Sequence, residues 1–170
     1  MSEKNNNYTA DENLKVFLDN ISDIFYVISI NGVFLYWNKA FEKISGYSSE
    51  EIKNMNVIDF FDERSAVRIT DAIKTSFENG FNEIEESFYT KDGRRVPMLY
   101  SATLVHDKSG NPVLCGTGKE ITFVKKIQDE LNDRIREMEI LIEAGMQREQ
   151  VIIDLKEKIK QLELRYSRKI

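Results

Sequence analysis

The chain has 170 residues, 41% hydrophobic and 31% charged, which is too apolar for a disordered polymer and too charged for a membrane protein. Two Pro and one Cys exclude a proline-rich fibre, a disulfide framework and a Cys-rich zinc module, and the lone Cys points to a reducing compartment. The 24 Lys plus Arg against 29 Asp plus Glu leave a net charge of -5, which argues against a partner held through phosphates, so nucleic acid is not expected. No run approaches the roughly 18 apolar residues of a membrane span, and the polar start lacks the apolar stretch of a signal peptide. A cytoplasmic protein with no membrane insertion is the expectation.

Turn residues divide the chain legibly. The opening MSEKNNNY is polar and low in complexity, and residues 1–9 read as a disordered leader. Asn31-Gly32 separates the apolar runs Ile24 to Ile30 and Val33 to Trp37, the signature of a short hairpin. Between residues 38 and 79 the signals turn helical: Asn38 can cap a turn holding Phe41 and Ile44, and Ser48-Ser49-Glu50-Glu51 resembles a helix start. A longer helix is expected from about Glu63 to Phe77, on the spacing of Val67, Ile69, Ile73 and Phe77, with Asn79-Gly80 ending it. Asp92-Gly93 and Ser109-Gly110-Asn111-Pro112 then punctuate three strands, Ile84 to Thr90, Val96 to Val105 and Val113 to Ile121. Two separated strand groups around a helical insert imply an α+β domain, one antiparallel sheet with helices across one face.

These residues resemble the PAS family, the sensory modules of bacterial and archaeal signalling proteins. Asn38, Gly46-Tyr47, Ser48-x-Glu50-Glu51 and Lys91-Asp92-Gly93 fall in the family's order and spacing, and the resemblance covers about Leu14 to Thr122. It implies a five-stranded antiparallel sheet in the order 2-1-5-4-3 with helices over one face, cupping a small pocket. The PAS domain with its N-terminal flanking helix is then expected over residues 10–122.

Catalytic patterns are missing: G-x-S-x-G and H-E-x-x-H do not occur, and Gly116-Thr117-Gly118-Lys119 matches only the end of a phosphate loop. His106 stands beside a hairpin turn, and Cys115 lies on an apolar strand without a neighbouring His. No enzyme and no metal site are expected. The haem-binding PAS members use a His on the long helix, and residues 63–79 have none. The light-sensing flavin members carry a Cys in an N-C-R motif, where this chain reads Asn56-Val57-Ile58-Asp59-Phe60-Phe61. Neither haem nor flavin of the covalent type is expected, and the cofactor stays unknown. Pocket candidates are Trp37, Ile69, Ile73, Met98, Tyr100, Leu104 and Cys115, either around a small-molecule ligand or as simple core filling.

Residues 123–170 read as one coiled-coil helix, with Gly145 as the only Gly and no Pro. A heptad register places Val124, Leu131, Met138, Gly145, Ile152, Ile159 and Tyr166 at a. Its d positions are Ile127, Arg134, Leu141, Arg148, Leu155, Leu162 and Lys169, and Ile135 and Ile142 at e widen the stripe. The dimer interface is expected at Val124, Ile127, Leu131, Met138, Leu141, Ile152, Leu155, Ile159 and Leu162. β-Branched residues at a with Leu at d favour a parallel two-stranded homodimer, and Lys158 and Glu163 would attract across it. Gly145 and Arg148 weaken the middle, where a helical hairpin turning at Ala144-Gly145 competes with a continuous coil. Lys119-Glu120-Ile121-Thr122 resembles the D-I-T motif that closes many PAS domains, with Glu120 in place of Asp, so Glu120, Ile121 and Thr122 are the expected signal relay. By the resemblance, the partners are a second copy and a downstream effector of the kinase or cyclase class, as in two-component systems.

Overall fold

The computed structural model describes residues 10–167, with side chains over 13–161. The leader at residues 1–9, and the side chains of Leu162, Glu163, Tyr166 and Lys169, lie outside the described residues. The chain divides into two compact units, up to Phe123 and from Val124 onward.

The first unit runs α1 (Ala10–Asp19), β1 (Ile24–Ile28), β2 (Phe34–Trp37), α2 (Lys39–Ser45), α3 (Ser49–Ile52), a 3-10 turn (Val57–Phe60), α4 (Glu63–Asn79), β3 (Phe81–Tyr89), β4 (Arg95–His106) and β5 (Pro112–Glu120). The five strands form one antiparallel sheet in the order β2-β1-β5-β4-β3. The last strand in sequence thus pairs with the first, and closes the gap that the helical insert opens.

Capping fixes the helical insert. Asn38 is fully buried and uses both ends of its amide: Oδ1 accepts from the N–H groups of Phe25 (3.0 Å) and Phe41 (3.3 Å), and Nδ2 donates to the carbonyls of Leu18 and Asp23, both at 3.0 Å. One side chain therefore caps α2 and ties it to β1 and to the end of α1. Ser48 and Glu51 form a reciprocal capping box on α3. Asp62 accepts from the Ser65 N–H at 2.8 Å to start α4, and Gly80 ends it with its N–H on the Ser76 carbonyl.

The buried face of α4 differs from the stripe its apolar residues suggest. Val67 is 62% exposed, whereas Ser65, Ile69 and Ser76 are buried. The physical reason is that the Ser76 hydroxyl donates to the Ala72 carbonyl at 2.8 Å, so a small polar side chain can face the sheet with its hydrogen bond already made. The core beneath is aromatic: Phe60 meets Phe34, Phe41, Tyr47 and Phe88 with ring centroids 5.2 to 6.4 Å apart.

From Thr122 to Ser167 the chain is one α-helix of 46 residues, α5. It runs through Ala144 and Gly145 without a turn, so the helical hairpin is not formed. Within the second unit its apolar residues are exposed, among them Ile127, Leu131, Met138, Leu141, Ile152 and Leu155.

Candidate functional site

Between one face of the sheet and α4 lies a cavity of about 70 Å³. Ile24, Tyr26 and Ile28 of β1 supply one wall; Ile69, Ala72, Ile73 and Ser76 of α4 supply the roof. Phe34, Phe41, Phe60 and Phe61 close one end, and Ile84, Phe88, Tyr100, Ala102 and Leu114 complete the sheet side. Its few polar groups are turned toward backbone partners: Ser76 and Asn82 both donate to the Ala72 carbonyl, and the Tyr26 hydroxyl points to the Ser101 carbonyl at 3.5 Å. What faces the void is mainly hydrocarbon.

Room for the tyrosines comes from β5. A Cβ at Gly116 would stand 2.6 Å from Tyr26 Cζ, and one at Gly118 would stand 3.0 Å from Tyr100 Cε1. Alternate glycines on the inward face of β5 thus let the rings of β1 and β4 lie flat over that strand. Burial, and then the neighbouring Cys115, push the Tyr26 hydroxyl far above its ordinary range; burial, Tyr26 and Glu86 do the same to Tyr100. Both phenols stay protonated, so neither tyrosine puts an anion beside the cavity.

The structure brings Ile69, Ile73 and Tyr100 of the expected pocket residues to the lining and places Trp37, Met98, Leu104 and Cys115 off it. Trp37 packs edge-on against Phe34, and its indole N–H donates to Glu42 at 3.3 Å. Met98 is fully buried within the aromatic core. Leu104 pairs with Leu114 toward the far end of β4. Cys115 falls between the inward residues Leu114 and Gly116, so strand alternation turns it to the other face, beside Val27 and Thr103. Burial raises its thiol pKa, which keeps it a thiol. The spacing Gly116-x-Gly118, two inward glycines on one strand, was the sequence signal for Tyr26 as a lining residue.

Two charged contacts brace this region. Glu86 is buried on β3, accepts from the Ser87 N–H at 3.0 Å, and has Arg68 of α4 2.9 Å from its other oxygen. Glu51 of α3 pairs with Lys91 of the β3–β4 turn at 2.6 Å. Glu51 and Glu86, each next to a second acid in the chain, thus each make an ion pair to another element.

At the end of β5, Glu120 pairs with Met98, Ile121 is buried with its N–H on the Pro97 carbonyl at 3.0 Å, and Thr122 begins α5. The Thr122 hydroxyl donates to Glu120 at 2.8 Å. Ile121 alone separates strand from helix. His106 sits exposed at the end of β4, opposite Pro112. Among the described residues, no three His, Cys, Asp or Glu side chains cluster as metal ligands, and no helix is long and apolar enough to cross a membrane.

The PAS domain family matches residues 22–123. No curated protein matches the chain. Among solved structures, a PAS domain of a two-component sensor histidine kinase is similar at 18% identity, with a TM-score of 0.57, over 65% of this chain and 95% of that one. A PAS domain from Colwellia psychrerythraea is similar at 22% identity and a TM-score of 0.59, over 65% and 96% of the two chains. An RNA-binding Light-Oxygen-Voltage receptor aligns over 78% of this chain and 39% of its own, at 18% identity and a TM-score of 0.64. At these identities the likeness is one of fold.

Proposed function

Because the chain belongs to the PAS domain family over residues 22–123, we propose that it is a non-catalytic sensory module that dimerises in parallel through the apolar stripe of α5 and passes a change in its core to an effector or partner. The observation that carries this reading is the continuity of one strand. β5 lends Leu114 to the cavity wall, ends at Glu120, and reaches α5 through Ile121 alone. A displacement of β5 by an occupant of the cavity would reach the helix as a rotation or shift, with no flexible linker to absorb it. Glu120, Ile121 and Thr122 are the relay. A kinase or cyclase is the effector class, supported by the histidine kinase origin of one similar PAS domain.

The cavity sets the ligand class. About 70 Å³ of mainly hydrocarbon-lined space is far below the ~300–1,000 Å³ of pockets that bury drug-sized molecules. It suits a compact apolar molecule. The same small volume favours a second reading, a ligand-free module whose role is assembly alone.

Native mass spectrometry of the full chain against its denatured mass separates the two. A dimer carrying releasable extra mass is expected for the sensor. A dimer of bare chains favours the assembly module, and a monomer overturns both.

A further inference from the structure

The dimer reading leaves open which side chains of α5 meet, and the spacing of its apolar residues answers differently from the seven-residue repeat. Nine heptad seam positions fall between Val124 and Ile152, and Arg134, Gly145 and Arg148 occupy three of them. An eleven-residue repeat places the seam elsewhere. From Val124 it reaches Ile135 and Met146. From Ile127 it reaches Met138 and Glu149. From Leu131 it reaches Ile142 and Ile153. Eight of these nine positions are apolar, against six of nine in the heptad register, and Arg134, Gly145 and Arg148 all leave the seam. The three residues that only the eleven-residue seam recruits in the first half are open to solvent on α5: Ile135 is 45%, Ile142 62% and Met146 67% exposed.

Eleven residues in three turns give ~3.67 per turn, and a seam with that period winds right-handed where a heptad seam winds left-handed. Resting on the dimer reading above, we propose that α5 pairs with a second copy of this chain through an eleven-residue seam over Val124 to Met146, in which Ile135 and Ile142, not Arg134 and Leu141, face the partner. From Ile152 the seam returns to heptads through Leu155 and Ile159. Gly145, Arg148 and Glu149 mark the changeover, where both repeats put a charged residue in the seam, Arg148 in the heptads and Glu149 in the eleven-residue repeat.

Charge argues for a second copy as the occupant. Residues 124–170 carry 11 basic and 10 acidic side chains, interleaved, and so offer no one-signed surface to an anionic lipid or nucleic acid. In the eleven-residue register Arg134 stands on one flank of the seam and Glu139 on the other. They are five residues apart, the relation in which opposite charges of parallel helices attract across the dimer. In the heptad register the same arginine occupies the seam and is desolvated.

Cysteine cross-linking tests the register in the full chain with Cys115→Ala as background. Leu131→Cys lies in both seams and cross-links in any parallel dimer. Ile135→Cys and Ile142→Cys are expected to form inter-chain disulfides on the order of tenfold faster than Arg134→Cys and Leu141→Cys, because only seam positions bring Cβ atoms within bonding reach. Faster cross-linking at 134 and 141, or equal rates at all four, overturns the eleven-residue seam while Leu131→Cys still reports the dimer. No disulfide at Leu131→Cys, with a monomer in sedimentation, removes the dimer reading and the seam together. All five sites are exposed, so the variants leave the sensory unit intact.

Discussion

Tyr26 lies over Gly116, so closely that a Cβ at the glycine would fall 2.6 Å from the tyrosine hydroxyl and 2.5 Å from the Ser101 carbonyl oxygen. One of these neighbours is a ring and the other is backbone of the adjacent strand, and the backbone cannot step aside without breaking the β4–β5 ladder. Gly116→Ala is therefore expected to cost about 1–3 kcal/mol in urea unfolding, as overpacking does. Tyr26→Phe keeps the ring and loses only a hydrogen bond stretched to 3.5 Å, so it is expected to cost under about 1 kcal/mol. Equal costs would show that the ring does not hold the strand.

Asn38 is the most heavily committed side chain of the helical insert, with two bonds accepted and two donated at zero exposure. Asn38→Ala is expected to destabilise by about 2–4 kcal/mol, since it leaves several buried backbone groups without partners. Asn38→Asp, nearly isosteric, is expected to be damaging too, because the oxygen that replaces Nδ2 would face the carbonyls of Leu18 and Asp23. A stable Asn38→Asp variant in thermal unfolding would count against this wiring.

Glu86 and Arg68 join β3 to α4 beside the cavity. Arg68 is half exposed and Glu86 is not, so loss of the arginine strands a buried carboxylate. Arg68→Ala is expected to cost about 1–3 kcal/mol, and adding Glu86→Gln to it is expected to restore most of that loss. A double variant as unstable as the sum of its singles would show that the two residues act independently.

Glu51 gives the fold an acid-sensitive contact. The hydrogen bond from Lys91, then those from the Ser48 backbone and side chain, hold its carboxyl at about 2, down from an ordinary 4.5. The folded pKa is depressed, so its stabilising effect is full above pH 4.5 and lost as pH falls toward 2. The stability gap between the parent chain and Glu51→Gln should be flat above that window, close within it, and shrink in high salt because the pair is exposed. A gap unchanged by pH would remove the Lys91 pair from the account.

The fold was largely legible because turns and caps are local. Asn31-Gly32, Asp92-Gly93 and Ser109-Gly110 mark every hairpin, and Asn38, Ser48 and Asn79-Gly80 mark helix ends; these need only neighbouring residues to act. β3 was placed too late, at Ile84, because Phe81, Asn82 and Glu83 carry mixed polarity and are strand only through pairing with Ser101, Ala102 and Thr103. The cavity was half legible. Ile69 and Ile73 follow from helix spacing, but Tyr26 and Leu114 depend on which face of each strand turns inward, and Ala72 and Ser76 line the void because they are small. Apolar counting sees none of these. Likewise, the burial of Glu86 follows from the approach of Arg68, 18 residues away in the chain.

With β5 as the relay, occupancy of the cavity is felt in α5. Its most direct test is amide hydrogen exchange of the full chain with and without xenon under pressure, since xenon enters small dry apolar cavities. Altered protection is expected in the lining strands and also along β5, at Ile121 and through the first turns of α5 to Leu131. Changes confined to the cavity lining, with α5 exchanging at identical rates in both conditions, would contradict it.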